Sequence, residues 1–205
     1  MNKISSYLFI VAFVCVIASF VYVHHLINNN NARLYECKRE MANSLAVHEK
    51  FLRNQSLEIL SDFRTLDNIK IRAIDNSQKS IEECIEKDVL VYRFSQFSCP
   101  PCVENDMEIL NQITDSIGAE NILVLSDVAS LKEMKIFSEQ NHLKFPLYSY
   151  PSQLSLQADN DTIYEASYYF VLDRELKTKF TYLSRSDHAI ESPYFKRIIE
   201  YFHKE

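Results

Sequence analysis

Cys99 and Cys102 are the residues whose type and spacing most directly allow chemistry. They stand in Phe97-Ser98-Cys99-Pro100-Pro101-Cys102, after the apolar run Val89-Leu90-Val91-Tyr92 and before a helical pattern that begins at Val103. Thiol–disulfide exchange needs an exposed thiolate to attack and a second thiol to resolve the mixed disulfide. Two cysteines separated by two residues at a helix start meet both needs. Cys99 is expected where free N–H groups and the helix dipole favour negative sulfur. Cys102 is expected one turn in, close enough to close the ring. Pro100 and Pro101 lack only N–H groups that the first helical turn leaves without an intrahelical acceptor, and they stiffen the ring. Cys99 is therefore assigned as nucleophile and Cys102 as resolving thiol.

The same pair could be half of a structural zinc site, but four ligands are needed and no second Cys pair or His-x₃-His run exists. Cys37 and Cys84 would have to converge on the pair. The six histidines show no ligand spacing. Capture of a soft metal such as Cu(I) or Zn by Cys99 and Cys102 is the alternative function, beside a non-catalytic interaction module. No metal and no cofactor is assigned. The single glycine, Gly118, excludes phosphate-cradling Gly-rich loops. A formal net charge of -6 without a long basic run speaks against nucleic acid as a partner. Apolar residues make up 47% of the 205-residue chain, enough for a sizeable core.

The elements that must position the pair follow from periodicity. Ile69–Ile74 alternates as a strand, and Asp75-Asn76-Ser77 signals a turn. Ser80 with Glu83 forms a capping-box pattern opening a short helix that holds Cys84 beside Ile81 and Ile85. Val89–Ser95 is the central strand. Val103–Ile117 is a helix with Met107, Leu110, Ile113 and Ile117 on one face, and Gly118 is placed to end it. A strand is expected at Asn121–Leu125 and a helix from Asp127 to about Asn141, with Leu131, Met134 and Phe137 inward. Pro146–Tyr150 reads as a short edge strand and 151–164 as irregular. Ser167–Leu172 and Lys177–Leu183 read as an antiparallel hairpin, and Pro193–Phe202 as a closing helix. The sum is an α/β mixed sheet flanked by helices.

The N-terminal segment sets the expected compartment. Residues 4–27 contain no Lys, Arg, Asp or Glu, and Tyr7–Val23 is apolar apart from Ser19. A helix needs about 20 such residues to span hydrocarbon. The expectation is one transmembrane helix in 1–30, an uncleaved signal anchor, with a removed signal peptide as the competing reading. A helical stalk at 31–65 and a globular domain at 66–205 follow. The stalk's heptad fit is poor, because Ser44 and His48 fall on the would-be seam. Single-pass anchoring in the inner membrane places the domain on the periplasmic or extracytoplasmic side. Cys37, on the stalk, reads either as a half-buried helix residue or as a site for a disulfide between stalks.

With Cys99-Pro100-Pro101-Cys102 after a strand and Tyr169-Phe170-Val171-Leu172-Asp173 as a late strand ending in a turn, the chain resembles the thioredoxin-like superfamily over about residues 66–204. It is most similar to membrane-tethered TlpA/ResA-like thiol-disulfide oxidoreductases of a divergent, Bacteroidetes type. The resemblance implies a thioredoxin-like fold and disulfide exchange on exported proteins, more in the reducing than the oxidising direction. It also implies a membrane thiol transporter as electron donor. Three positions depart from the family. Ser167 stands where a cis-proline usually guards the disulfide, Ser98 where a Trp usually precedes the first cysteine, and Arg93 where a buried Asp or Asn is common.

These departures leave forks open. Arg93 either points toward the pair and stabilises thiolate, or faces outward and pairs with Glu104 or Asp106. Ser167 either offers a hydroxyl to a thiolate while removing the steric guard, or is only a strand start. Glu104 either accepts a proton from Cys102, as acidic groups do in related enzymes, or complements the helix dipole. Tyr168 and Tyr169 are expected as one inward residue and one near the rim of the site.

Overall fold

The computed structural model describes residues 3–128, 130–150, 167–184, 190 and 192–204, and only the backbone at 3–12, 14, 15, 50, 53, 54 and 57. The irregular stretch expected at 151–164 lies outside the described residues. By internal contacts the chain divides into Met1–Arg53 and Asn54–Glu205.

The first unit is helical. Helix α1 runs Lys3–Ser61 and continues into the second unit over its last residues. Phe20, Val21, Tyr22 and Val23 are exposed on it, as are Leu34, Met41 and Leu45, and Cys37 is an exposed free thiol. Among the described residues no helix is long and apolar enough to cross a membrane. The apolar stretch Tyr7–Val23 includes residues 7–12, 14 and 15, whose side chains lie outside the described set.

The second unit is built on one sheet of seven strands. The strands are β1 (Lys70–Ala73), β2 (Gln78–Ser80), β3 (Val89–Phe94), β4 (Ile122–Ser126), β5 (Leu147–Ser149), β6 (Tyr168–Leu172) and β7 (Thr178–Leu183). Their order is β2-β1-β5-β4-β3-β6-β7. Strand β4 is parallel to both β3 and β5, whereas β6 pairs antiparallel with β3 and β7. Helices α2 (Pro100–Ile117), α3 (Leu131–Gln140) and α4 (Pro193–Phe202) complete the fold. Every residue of β3, β4 and β6 is buried, as expected for central strands covered on both faces.

Alternation along β3 divides the core. Leu90, Tyr92 and Phe94 pack with Val103, Met107 and Leu110 of α2 and with Phe195 and Ile198 of α4. Val89 and Val91 face the other way, with Ile71, Ile81, Leu125 and Phe170. Gly118, at φ 88°, ends α2, in a conformation that residues with a Cβ rarely adopt.

Several expectations shift. The turn at Asp75–Ser77 joins two strands, so β2 replaces the residues read as lead-in to a helix. The capping box is present, with Ser80 and Glu83 bonding each other's N–H groups, but it opens only a 3₁₀ turn, Glu82–Cys84. Strand β5 is not an edge strand, because β1 pairs with its outer side. Helix α3 starts four residues later than Asp127, at Leu131, because Ser130 caps the Glu133 N–H. The outer edge of β7 is closed by the end of α1 and its connection. Asp62 accepts from Thr181 N–H and Glu58 from Leu183 N–H, which removes an exposed edge.

Candidate functional site

Cys99 and Cys102 are joined in a disulfide with their Cα atoms 5.2 Å apart. Cys99 is the N-cap of α2, with Pro100 and Pro101 in the first turn. The Cys102 and Val103 N–H groups both donate to the Cys99 carbonyl. The helix therefore begins at Pro100 rather than Val103. Cys99 is exposed and Cys102 half-buried, which matches the difference in access that an attacking and a resolving sulfur require.

The turn that delivers Cys99 is tightly tied. Ser98 N–H donates to the Ser95 carbonyl at 2.9 Å, and Ser95 N–H to Ser98 Oγ at 3.0 Å. Ser98 is thus a buried turn-former. The large apolar side chain beside the pair is Phe97, which is 63% exposed. Asp127, at the end of β4, anchors this turn from the side. It accepts from Ser95 Oγ at 3.0 Å and from Gln96 N–H at 2.6 Å.

Helix α2 also carries a buried carboxylate. Asp106 is fully buried on α2, one turn beyond Cys102 and on the same helix face, since residues four apart are helix neighbours. Tyr92 Oη donates to it at 2.5 Å, Ser184 Oγ at 2.7 Å and Tyr169 Oη at 2.8 Å. Burial, and then the Asp106 charge, hold the Tyr92 and Tyr169 phenols well above the ordinary tyrosine range, so both remain donors. Ser167 bonds the Tyr92 phenol through its side chain, and its carbonyl accepts from Ser184 N–H. It is 8% exposed. The hydroxyl of Ser167 thus belongs to the network around Asp106.

Neither reading of Arg93 describes its place. It is fully buried, on the sheet face opposite α2. Its Nε donates to Tyr150 Oη at 2.5 Å, and its guanidinium lies 5.3 Å from the Tyr168 ring and 5.7 Å from the Tyr150 ring. Strand alternation explains the outcome: Arg93 follows Tyr92, and Tyr92 faces α2. Asp106 accordingly pairs with hydroxyls rather than with Arg93. Tyr168 and Tyr169 are both buried and point to opposite faces, Tyr168 to Arg93 and Tyr169 to Asp106; neither sits at a rim. Glu104 is exposed. It lines a groove of about 870 Å³ with Pro101, Asn105 and Glu108 along the outside of α2.

Cys84 is half-buried against Ile81 and Ile85. Burial pushes its thiol up, against a hydrogen bond from Tyr148. Among the described residues no group of three or more His, Cys, Asp or Glu could hold a metal ion. Asp106 and Asp127 are the site residues that sequence reasoning missed. Asp106 enters the sequence reading only as a possible partner for an outward Arg93, though it falls on the stripe with Cys102 and Ile113. Asp127 was read as a helix start.

No family model matches the chain, and no curated protein matches it in sequence. Solved structures do. Peroxidoxin BcpB from Mycobacterium tuberculosis aligns over 70% of this chain and 96% of its own, at 10% identity and a TM-score of 0.52. A mutant of PrxQ from Xylella fastidiosa aligns over 70% and 97%, at 14% identity and a TM-score of 0.51. The fold is thioredoxin-like. A secreted thiol-disulfide isomerase from Corynebacterium glutamicum is also similar, at 18% identity over 68% and 86% of the two chains, with a TM-score of 0.48. In this thioredoxin-like frame the Cys pair lies at the carboxyl end of β3, where open α/β sheets place their sites.

Proposed function

We propose that the protein is a thiol-disulfide oxidoreductase acting on disulfides of exported proteins, in the reducing direction. The observation that carries the thiol-disulfide chemistry is the disulfide between an exposed N-cap Cys99 and a half-buried Cys102; the reducing direction rests on the resemblance of the Cys-Pro-Pro-Cys motif alone. In the reduced protein the Cys99 thiolate attacks one sulfur of a substrate disulfide. A Cys99–substrate disulfide forms and the other substrate sulfur leaves as thiolate. Cys102, deprotonated, attacks Cys99 and displaces the second substrate sulfur. Two electrons and, net, two protons pass to the substrate, and the Cys99–Cys102 disulfide remains. A dithiol donor, here a membrane thiol transporter, returns the pair to the reduced form. Exposed Phe97 offers an apolar contact beside Cys99 for a substrate polypeptide.

The placement outside the cytoplasm rests on the charge-free segment 4–27 with Lys3 before it. In this reading the N-terminal helix anchors the protein in the inner membrane, and the residues after it carry the Cys pair on the extracytoplasmic side.

The test is reduction of insulin by the full chain with dithiothreitol as donor, beside Cys99→Ser. Turnover in the wild type and none in Cys99→Ser is the expected result. Absence of cycling, with stoichiometric Cu(I) or Zn(II) bound, would replace this reading with the metal-binding one.

A further inference from the structure

We propose that the end of the sheet opposite the Cys pair holds a separate binding site, which takes a small hydroxycarboxylate. A cavity of about 310 Å³ opens there, lined by Lys87, Asp88, Asn121, Arg174 and Phe202. The topology brings these residues together from four segments. Lys87 and Asp88 precede β3, Asn121 precedes β4, Arg174 lies between β6 and β7, and Phe202 ends α4. Parallel pairing of β3 with β4 and antiparallel pairing of β3 with β6 put all three strand ends at the amino end of β3. The Cys pair follows the carboxyl end of the same strand, six residues or about 20 Å away.

Asn121 indicates what the cavity lacks. It is 7% exposed. Its Nδ2 donates to the Ile117 carbonyl at the end of α2, so the nitrogen is committed and the other end of the amide is Oδ1. That oxygen has no donor among the described residues. A buried acceptor without a donor costs stability, and a ligand O–H or N–H would supply the missing bond.

The charges indicate the rest of the ligand. The Asp88 carboxylate is already engaged, accepting from Lys179 Nζ at 3.1 Å and Tyr201 Oη at 2.5 Å. Lys179 also pairs with Asp173 at 3.2 Å. Lys87 and Arg174 are exposed, and among the described residues neither is held in an ion pair. The exposed Glu86 and Glu175 neighbour them in sequence but do not line the cavity, and Glu120 turns its carboxylate to Gly118. Two cations facing one neutralised acid favour an anion, and a guanidinium fits a carboxylate through two parallel bonds. A fully deprotonated inorganic anion would set oxygen against Asn121 Oδ1. An α-amino acid would bring a third cation. A carboxylate with a hydroxyl on the next carbon meets both demands, and its carbon skeleton faces Phe202.

The experiment is calorimetric titration of the full chain with L-lactate, propionate and L-alanine, which share a three-carbon carboxylate. Lactate should bind at one saturable site. Propionate, lacking the hydroxyl, and alanine, with an ammonium in its place, should each bind at least about tenfold more weakly. Lys87→Gln and Arg174→Gln, both at exposed positions, should each weaken lactate by about tenfold. Cys99→Ser should bind lactate as the wild type does, which separates this site from the oxidoreductase reading. No saturable lactate binding, equal binding of propionate, tighter binding of alanine, or indifference to both cation variants would overturn the proposal. Loss of binding in Cys99→Ser would also overturn it, by moving the ligand to the Cys pair.

Discussion

Tyr169 Oη donates to Asp106 at 2.8 Å, and this bond ties strand β6 to α2, the helix that carries the Cys pair, across the centre of the core. The carboxylate collects donors from three separate segments, so its loss leaves several buried hydroxyls without an acceptor. Hydrogen bonds to charged groups are worth about 1.5–3 kcal/mol each. Tyr169→Phe should lower the unfolding free energy in urea by an amount in that range, and Asp106→Ala by more. Losses below about 0.5 kcal/mol in both would show that the network adds little.

Arg93 should matter for stability and not for thiol acidity. Arg93→Ala removes a fully buried side chain stacked on two tyrosines, a loss of about 2–5 kcal/mol by analogy with other large-to-small core changes. The titration of Cys99 thiolate absorbance should be unchanged. A raised Cys99 pKa in Arg93→Ala would put the guanidinium in the field of the pair after all.

Stability should fall at alkaline pH. Burial raises the Tyr168 phenol to about 12, whereas in the unfolded chain it ionises near the ordinary value of about 10. Above that value the unfolded state binds fewer protons than the native state, so stability decreases as pH rises, by about 1.4 kcal/mol per unit for one such group. The loss runs from about pH 10 to about pH 12 for Tyr168. Tyr92, Tyr169 and Tyr194, also displaced upward by burial, add to it. Urea midpoints at pH 9, 10 and 11 measure this, and a flat profile would contradict it.

Cys84 should be a slow thiol. In the reduced protein, iodoacetamide at pH 8 should label Cys99 at least about tenfold faster than Cys84, because buried thiols resist ionisation. Peptide mass mapping over time reads the order. Equal rates would mean that the Cys84 pocket opens readily.

Much of this was legible in the sequence, for definite reasons. The Cys-x-x-Cys pair and the apolar face of α2 are local signals, and helical spacing alone placed Met107, Leu110 and Ile113 in the core. Strand β2 was missed because Gln78-Lys79-Ser80 has no apolar alternation; it exists as the edge partner of β1. Strand β5 was misplaced because only pairing with β1 makes it interior. Arg93 reads either as a charge beside the Cys pair or as an outward strand-end charge until the tyrosines at 150 and 168, distant in sequence, close around it. The roles of Asp106 and Asp127 depend on hydroxyls 14 to 78 and amides 31 residues away, which no local pattern encodes.

The most direct test of the central claim is trapping of the intermediate. Full-length Cys102→Ser, reduced and then mixed with an oxidised model substrate such as insulin, should accumulate a disulfide between Cys99 and the substrate. That species should be visible by non-reducing electrophoresis and mapped to Cys99 by mass spectrometry, while Cys99→Ser should give none. A mixed disulfide through Cys102 in Cys99→Ser, with none through Cys99 in Cys102→Ser, would contradict the assignment of Cys99 as nucleophile.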